Sequence, residues 1–111
     1  MDTFSHSMSE PCYAIGVAAK LLNLHPQTLR HYEKLGLINP YRSEGSQRLY
    51  SPRDIERLRK ITRLTNDLGI NLAGVEVILN MSERILEMQI EMDQMKAELE
   101  AEIARRGELL E

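Results

Sequence analysis

Hydrogen-bonding side chains cluster at the start of a short segment that begins with Pro26. They are Gln27, Thr28, Arg30 and His31. Amide, hydroxyl, imidazole and guanidinium groups of this kind can bind base edges in a major groove and phosphate oxygens. Leu29 is apolar and can pack inward, so a helix over this segment directs the polar set outward. The pattern predicts a helix that reads nucleic acid through one face.

The distribution of charge favours the same interpretation. The formal net charge is -3, but ten of the fourteen Lys and Arg residues fall between positions 20 and 63. These cations are Lys20, Arg30, Lys34, Arg42, Arg48, Arg53, Arg57, Arg59, Lys60 and Arg63. The acids that oppose them are Glu33, Glu44, Asp54 and Glu56, whereas nine acids face four cations from position 83 onward. A cluster of ten cations in one short span is typical of a surface that meets a polyanion.

A β-hairpin, or wing, is predicted after the polar helix. Two β-prone pieces, residues 37–38 and 48–50, flank a polar stretch rich in turn-forming residues. Arginine offers several donors and tyrosine one hydroxyl, so a hairpin carrying them can reach the DNA backbone. The residues expected to make such contacts are Arg42, Arg48 and Tyr50 on the hairpin, and Arg57 and Lys60 on the helix that follows.

Four short helices must position these groups. We expect them over residues 13–22, 26–34, 51–69 and 71–79. Gly36 ends the second helix, and Ser51 caps the third, with Asp54 returning the bond as in a capping box. Apolar residues from Ile55 to Leu68 form a buried stripe on the third helix. The fold class predicted is a mainly α winged helix-turn-helix domain with four helices and a small hairpin.

The C-terminal segment has the spacing of a dimerisation helix. Its apolar residues recur three or four positions apart as Met81, Ile85, Met88, Met92, Met95, Leu99 and Ile103. A helix of about 25 residues spans roughly 37 Å, too long for one small core to cover. We therefore predict a coiled coil with a second copy of the chain, either parallel or antiparallel. The predicted organisation is a disordered leader (1–11), a DNA-binding domain (12–80) and a coiled-coil helix (81–111).

Other classes of protein are poorly supported by the residues. Cys12 is the single cysteine, and neither a signal peptide nor a membrane-spanning run is evident, so we expect a cytoplasmic protein. His6, His25 and His31 lack the spacing of a metal site. Phosphate-binding glycine loops, nucleophile elbows and paired carboxylates are missing as well. We expect no enzyme, no cofactor and no metal.

Several of these motifs, taken in order, resemble the MerR family of transcriptional regulators. They lie at residues 15–18, 28–37, 48–50 and 54–58, and include Arg-x-Tyr-Glu-x-x-Gly-Leu followed by Arg-x-Tyr. The resemblance covers residues 13–79 and implies DNA contacts at Thr28, Arg30, His31, Tyr32 and Arg48. Gln27 is added to this set because it lies exposed at the start of the helix. His25 stands where many relatives carry a capping serine, so we expect weaker capping, or capping by Pro26 alone.

A narrower similarity concerns the heat-shock repressors of the same family. It rests on residues 24–30 and 69–75. It implies a homodimer that binds inverted repeats in double-stranded DNA and represses chaperone genes, with the DnaK chaperone as corepressor. Two alternatives within the family are a promoter-distorting activator and a small-molecule sensor. An alternative of another class is a coiled-coil adaptor whose N-terminal half binds protein.

Overall fold

The computed structural model describes residues 8–110 of the chain. The chain divides into two compact units, residues 1–72 and 73–111. Short helices and three short strands build the first unit, and one long helix builds the second. This confirms the predicted mainly α fold with a wing and a long C-terminal helix. The predicted leader falls largely on residues 1–7, which lie outside the described residues.

Two short helices form the helix-turn-helix. Helix α1 (Ile15–Leu22) ends at Asn23, whose φ of 54° closes a tight turn. Helix α2 (Pro26–Lys34) begins at His25, where imidazole Nδ1 accepts a hydrogen bond from the Gln27 backbone N–H at 3.0 Å. The expectation that Pro26 alone would supply the cap is therefore wrong, whereas weaker capping stays a prediction. An imidazole nitrogen can accept a bond as a serine oxygen does, and it satisfies one of the free N–H groups of the first turn.

The wing differs in part from the prediction. Strands β1 (Tyr13–Ala14), β2 (Tyr41–Arg42) and β3 (Arg48–Tyr50) form an antiparallel sheet in the order β1-β3-β2. Residues 37 and 38, predicted as a strand, lie outside the sheet and are only 2% and 4% exposed. Successive residues of a strand point to opposite faces, so two consecutive buried residues suit a loop that crosses the core. Strand β1 was predicted as helix, because two residues are too few to establish an alternating pattern.

Helix α3 (Pro52–Thr62) begins as predicted. The Ser51 hydroxyl accepts from the Asp54 N–H at 3.1 Å, and the Asp54 carboxylate accepts from the Ser51 N–H at 3.0 Å. A π-helical segment (Arg63–Asp67) follows. The predicted buried stripe continues as far as Leu64, but Leu68 is 64% exposed. The wider π-helical turn rotates the residues after it, which takes Leu68 off the buried face.

The core of the first unit draws on helices α1, α2 and α3 and on strand β3. Its fully buried side chains include Leu29 of α2, Tyr50 of β3, and Leu58 and Ile61 of α3. Ala18 and Ala19 of α1 are also buried, and their small side chains allow close approach of another element. This core holds α2, the predicted recognition helix, and the wing on one scaffold.

The second unit is a single helix, α4 (Leu72–Leu110), of 39 residues. The predicted fourth helix and the predicted dimerisation helix are therefore one element. Neither a glycine nor a proline lies between positions 75 and 106, so nothing in the sequence breaks the helix at Asn80. Val75 and Leu79 are its buried residues. Across residues 8–110, none of the helices combines the length and the apolar character needed to cross a membrane.

Candidate nucleic-acid interface

The exposed face of α2 carries most of the predicted contact residues. Gln27, Arg30 and His31 are exposed, and Thr28 is half-buried. Arg30 Nη1 lies 3.4 Å from Gln27 Oε1, so these two side chains meet on one face of the helix. Leu29 is fully buried, as its apolar character predicts. The helix thus packs through one face and exposes hydrogen-bonding side chains on the other.

Two tyrosines from the predicted contact set lie inside the protein. Tyr32 is 7% exposed and Tyr50 is 0% exposed. The prediction that Tyr50 presents its hydroxyl on the wing surface is therefore wrong, and Tyr32 belongs to the core rather than to the polar face of α2. Burial, followed by the negative charge of Glu33, raises the pKa of Tyr50 above 10.0. The Tyr50 hydroxyl has no hydrogen-bond partner within the described residues.

A single carboxylate links α2 to the wing. Glu33 Oε1 accepts from Arg48 Nε at 2.5 Å, and Glu33 Oε2 accepts from Arg42 Nη2 at 2.9 Å. Burial raises the pKa of the Glu33 carboxyl, but hydrogen bonds and charge from Arg48 and Arg42 outweigh this and leave it below the ordinary 4.5. The carboxylate is therefore ionised at neutral pH. Sequence reasoning counted Glu33 only as an opposing charge; its place inside a cation-rich run was the available signal.

The recognition helix and the wing enclose one groove. It has a volume of about 450 Å³ and is lined by Gln27, Arg30, His31, Glu33, Lys34 and Arg48. Four predicted contact residues, Gln27, Arg30, His31 and Arg48, are thus brought together although 21 positions separate the first from the last. The cations, the amide and the imidazole in this lining match the donors and acceptors of a DNA groove and its phosphates.

The cations of α3 do not join this groove. Arg57 is half-buried, and its Nε donates to the Leu37 backbone carbonyl at 2.7 Å, which braces the loop between α2 and the wing. Lys60 is also half-buried. Arg59 and Arg63 line a different cleft together with Leu21 and Leu22. Arg57 is therefore part of the scaffold, and its role as a DNA contact stays a prediction, as does that of Lys60.

The predicted dimerisation residues form an exposed apolar stripe on α4. Met81, Ile85, Met88, Met92, Met95, Leu99 and Ile103 are between 47% and 66% exposed. Ile90 is 49% exposed but lies off the stripe, on the other side of the helix. Seven large apolar side chains in one row are more than an isolated helix can leave in water without cost.

Metal-binding groups are not assembled in the part of the chain that the structure covers. Across residues 8–110 no three His, Cys, Asp or Glu residues come close enough to hold an ion. Cys12 is an exposed free thiol.

Comparisons with known proteins identify relatives of this chain. The chain is 48% identical over 90 residues to the heat shock protein HspR of Streptomyces coelicolor, covering 81% of this chain and 60% of that protein. It is 37% identical over 75 residues to the HTH-type transcriptional regulator GlnR of Bacillus anthracis, covering 68% of this chain and 57% of that protein. The match thus spans somewhat under two thirds of each relative's length.

Two solved structures share the fold. The crystal structure of HiNmlR, a MerR family regulator lacking the sensor domain and bound to promoter DNA, matches with a TM-score of 0.57 at 24% identity, over 84% of this chain and 76% of that one. A MerR family transcriptional regulator from Bacillus cereus matches with a TM-score of 0.54 at 26% identity, over 75% and 78% of the two chains.

The family model of the MerR HTH regulatory proteins covers residues 13–82, which include the helix-turn-helix, the wing and the start of the long helix. The chain therefore belongs to the MerR family of helix-turn-helix regulatory proteins.

Proposed function

We propose that the protein is a sequence-specific regulator of transcription that binds promoter DNA. The observation that carries the proposal is the groove in which Gln27, Arg30 and His31 of α2 face Arg48 of the wing. In this arrangement α2 enters the major groove and reads base edges, while the wing contacts the flanking phosphates. Family membership supports this placement of the two elements.

The active species in this proposal is a homodimer in the cytoplasm. Two copies pair through the exposed stripe of α4, which places two recognition helices on one DNA duplex. A two-fold dimer reads an inverted repeat, since each half-site meets the same surface. Four of the seven stripe residues are methionine, whose flexible side chains fill gaps between helices well.

The regulated genes proposed are those of the heat-shock response. The similarity to the heat shock protein HspR supports a role in this response. As the resemblance to the heat-shock repressors implies, the protein represses chaperone genes in this proposal, with the DnaK chaperone as corepressor. Binding of DnaK to the dimer would then raise the affinity of the dimer for the operator. By the same coupling, binding of the dimer to the operator would raise its affinity for DnaK.

The first experiment selects duplexes from a library of fragmented genomic DNA with the purified full chain. Selected duplexes are then titrated over a series of salt concentrations beside scrambled duplexes of the same composition. We expect the selected duplexes to contain inverted repeats. The logarithm of the affinity should fall linearly with the logarithm of the salt concentration. Arg30→Ala should weaken binding by about 10- to 100-fold. Arg59→Ala, which removes an exposed arginine from a different cleft, is the matched control.

Failure to enrich any duplex, or equal binding to selected and scrambled DNA, would overturn the proposal and favour a protein-binding adaptor. The titration is repeated with DnaK to test the finer proposal. An affinity that DnaK leaves unchanged would remove the corepressor while leaving a DNA-binding regulator in place.

A further inference from the structure

Glu33 is the one acid among the residues that line the groove between α2 and the wing. The other charged residues in that lining are Arg30, Lys34 and Arg48. A carboxylate at such a place lowers the attraction of the groove for any DNA phosphate. A surface that only had to hold DNA gains nothing from it, so its presence calls for a different role.

Both arginine side chains of the wing donate hydrogen bonds to this carboxylate. Arg42 Nη2 and Arg48 Nε donate to its two oxygens at 2.9 and 2.5 Å, and Arg42 Nη1 also donates to the Ser46 backbone carbonyl at 3.1 Å. The side chain of Glu33 is only 20% exposed, and that of Arg48 is 25% exposed. Charge-assisted bonds in a partly buried site are among the stronger ones in proteins. The two guanidinium groups are thus held in one orientation relative to α2.

We propose that Glu33 is a positioning residue that determines specificity, because it holds Arg42 and Arg48 in the orientation that α2 imposes and keeps them from binding phosphates in other registers. The inference rests on the proposed function. An unrestrained arginine has a long flexible side chain and can follow the phosphates of any sequence. A restrained arginine reaches a phosphate only where α2 is already bound to the bases of the operator. Glu33 therefore weakens binding to unrelated DNA more than binding to the operator.

The test compares Glu33→Gln with the wild-type protein on the selected duplex and on its scrambled version, over a salt series. Freeing two arginines should strengthen binding to scrambled DNA by about 3- to 30-fold at low salt. The log–log salt slope on that DNA should steepen by about 0.9 for each phosphate gained. Binding to the selected duplex should change less, so the ratio of the two affinities falls. Misfolding does not produce a gain of affinity, so this outcome separates the proposal from simple damage.

Two further comparisons identify the cause of the stronger binding that we expect for Glu33→Gln on scrambled DNA. Glu44→Gln removes the same charge from the exposed wing loop, where no ion pair within the described residues involves Glu44. If this control strengthens binding to scrambled DNA as much as Glu33→Gln, net charge is the cause and the proposal fails. In the Arg42→Gln/Arg48→Gln background, Glu33→Gln should have no further effect on the affinity ratio.

Failure of this inference and failure of the proposed function are distinguishable. If the wild-type protein does not prefer the selected duplex, the proposed function fails. If the wild-type protein prefers it and Glu33→Gln keeps the same preference, or loses affinity for both duplexes equally, Glu33 has a structural role only and the inference alone is overturned.

Discussion

The two units of the protein place their apolar side chains in opposite ways. In the first unit Leu29, Tyr50 and Leu58 are fully buried, whereas Met92, Met95 and the rest of the α4 stripe are at least 47% exposed. The first unit therefore has a core of its own, which can hold α2 and the wing in register. The long helix carries an apolar surface that the described part of the chain leaves uncovered. Under the proposed function, contact with DNA therefore depends on the core of the first unit, while the spacing of two recognition helices depends on assembly.

The largest expected effect is on assembly. Met92→Glu places a charge in the middle of the stripe, where pairing with a second helix would bury it at a cost of several kcal/mol. We expect the dimer to dissociate at micromolar concentration, which sedimentation equilibrium measures. Ile90→Glu is the matched control, since two positions along a helix turn a side chain by about 200°. Equal dissociation of both variants, or of neither, would contradict the assignment of the stripe as the dimer seam.

A smaller effect is expected in the first unit, at Glu33. Glu33→Gln should lower the free energy of unfolding by about 1.5–3 kcal/mol at neutral pH, because hydrogen bonds to a charged group contribute about this much. The pKa of Glu33 is lowered on folding, so its contribution is fully present above about pH 4.5 and is lost as the pH falls through the folded pKa. Chemical denaturation at several pH values should show that the free energy of unfolding of the variant falls less steeply at acid pH than that of the wild-type protein. The same fall in both proteins would argue against the ion pairs.

The start of the recognition helix tests the first unit at a single hydrogen bond. His25→Ala removes the acceptor of the Gln27 N–H and should cost about 1 kcal/mol of unfolding free energy. Asparagine is a preferred capping residue, so His25→Asn should restore most of the loss. Thermal melts monitored by circular dichroism give the comparison. If His25→Ala melts at the same temperature as the wild-type protein, the imidazole contributes no cap.

The smallest effect is expected at Tyr50. Tyr50→Phe removes a buried hydroxyl that has no partner within residues 8–110, so stability should stay the same or rise by less than about 1 kcal/mol. Because folding raises the pKa of Tyr50, the wild-type protein should lose stability above about pH 10, and the variant should lose less. DNA affinity should not change. A loss of DNA affinity in this variant would instead support the sequence-based prediction that the Tyr50 hydroxyl contacts DNA.

Local signals predicted much of the fold and part of the candidate site. Pro26 and Gly36 bound the recognition helix, and Ser51 with Asp54 starts α3, because capping and backbone preferences act over a few residues. The apolar spacing of α4 gave both its helical character and its exposed stripe. Gln27, Arg30 and His31 lie on the face expected from the buried Leu29. The expectation of two separate helices that meet near Asn80 was wrong. A change in the apolar pattern is a weaker signal for the end of a helix than a glycine or a proline, and neither of these lies near Asn80.

The sequence by itself predicted the family, most of the helices and a set of candidate DNA contacts. Only the tertiary structure decided that Tyr32 and Tyr50 are buried and that Glu33 binds both wing arginines. The physical reason is distance along the chain. Helix caps and amphipathic faces depend on neighbours within about one turn, whereas Glu33 lies 9 and 15 positions from its partners. Such contacts exist only once the core has brought α2 and the wing together.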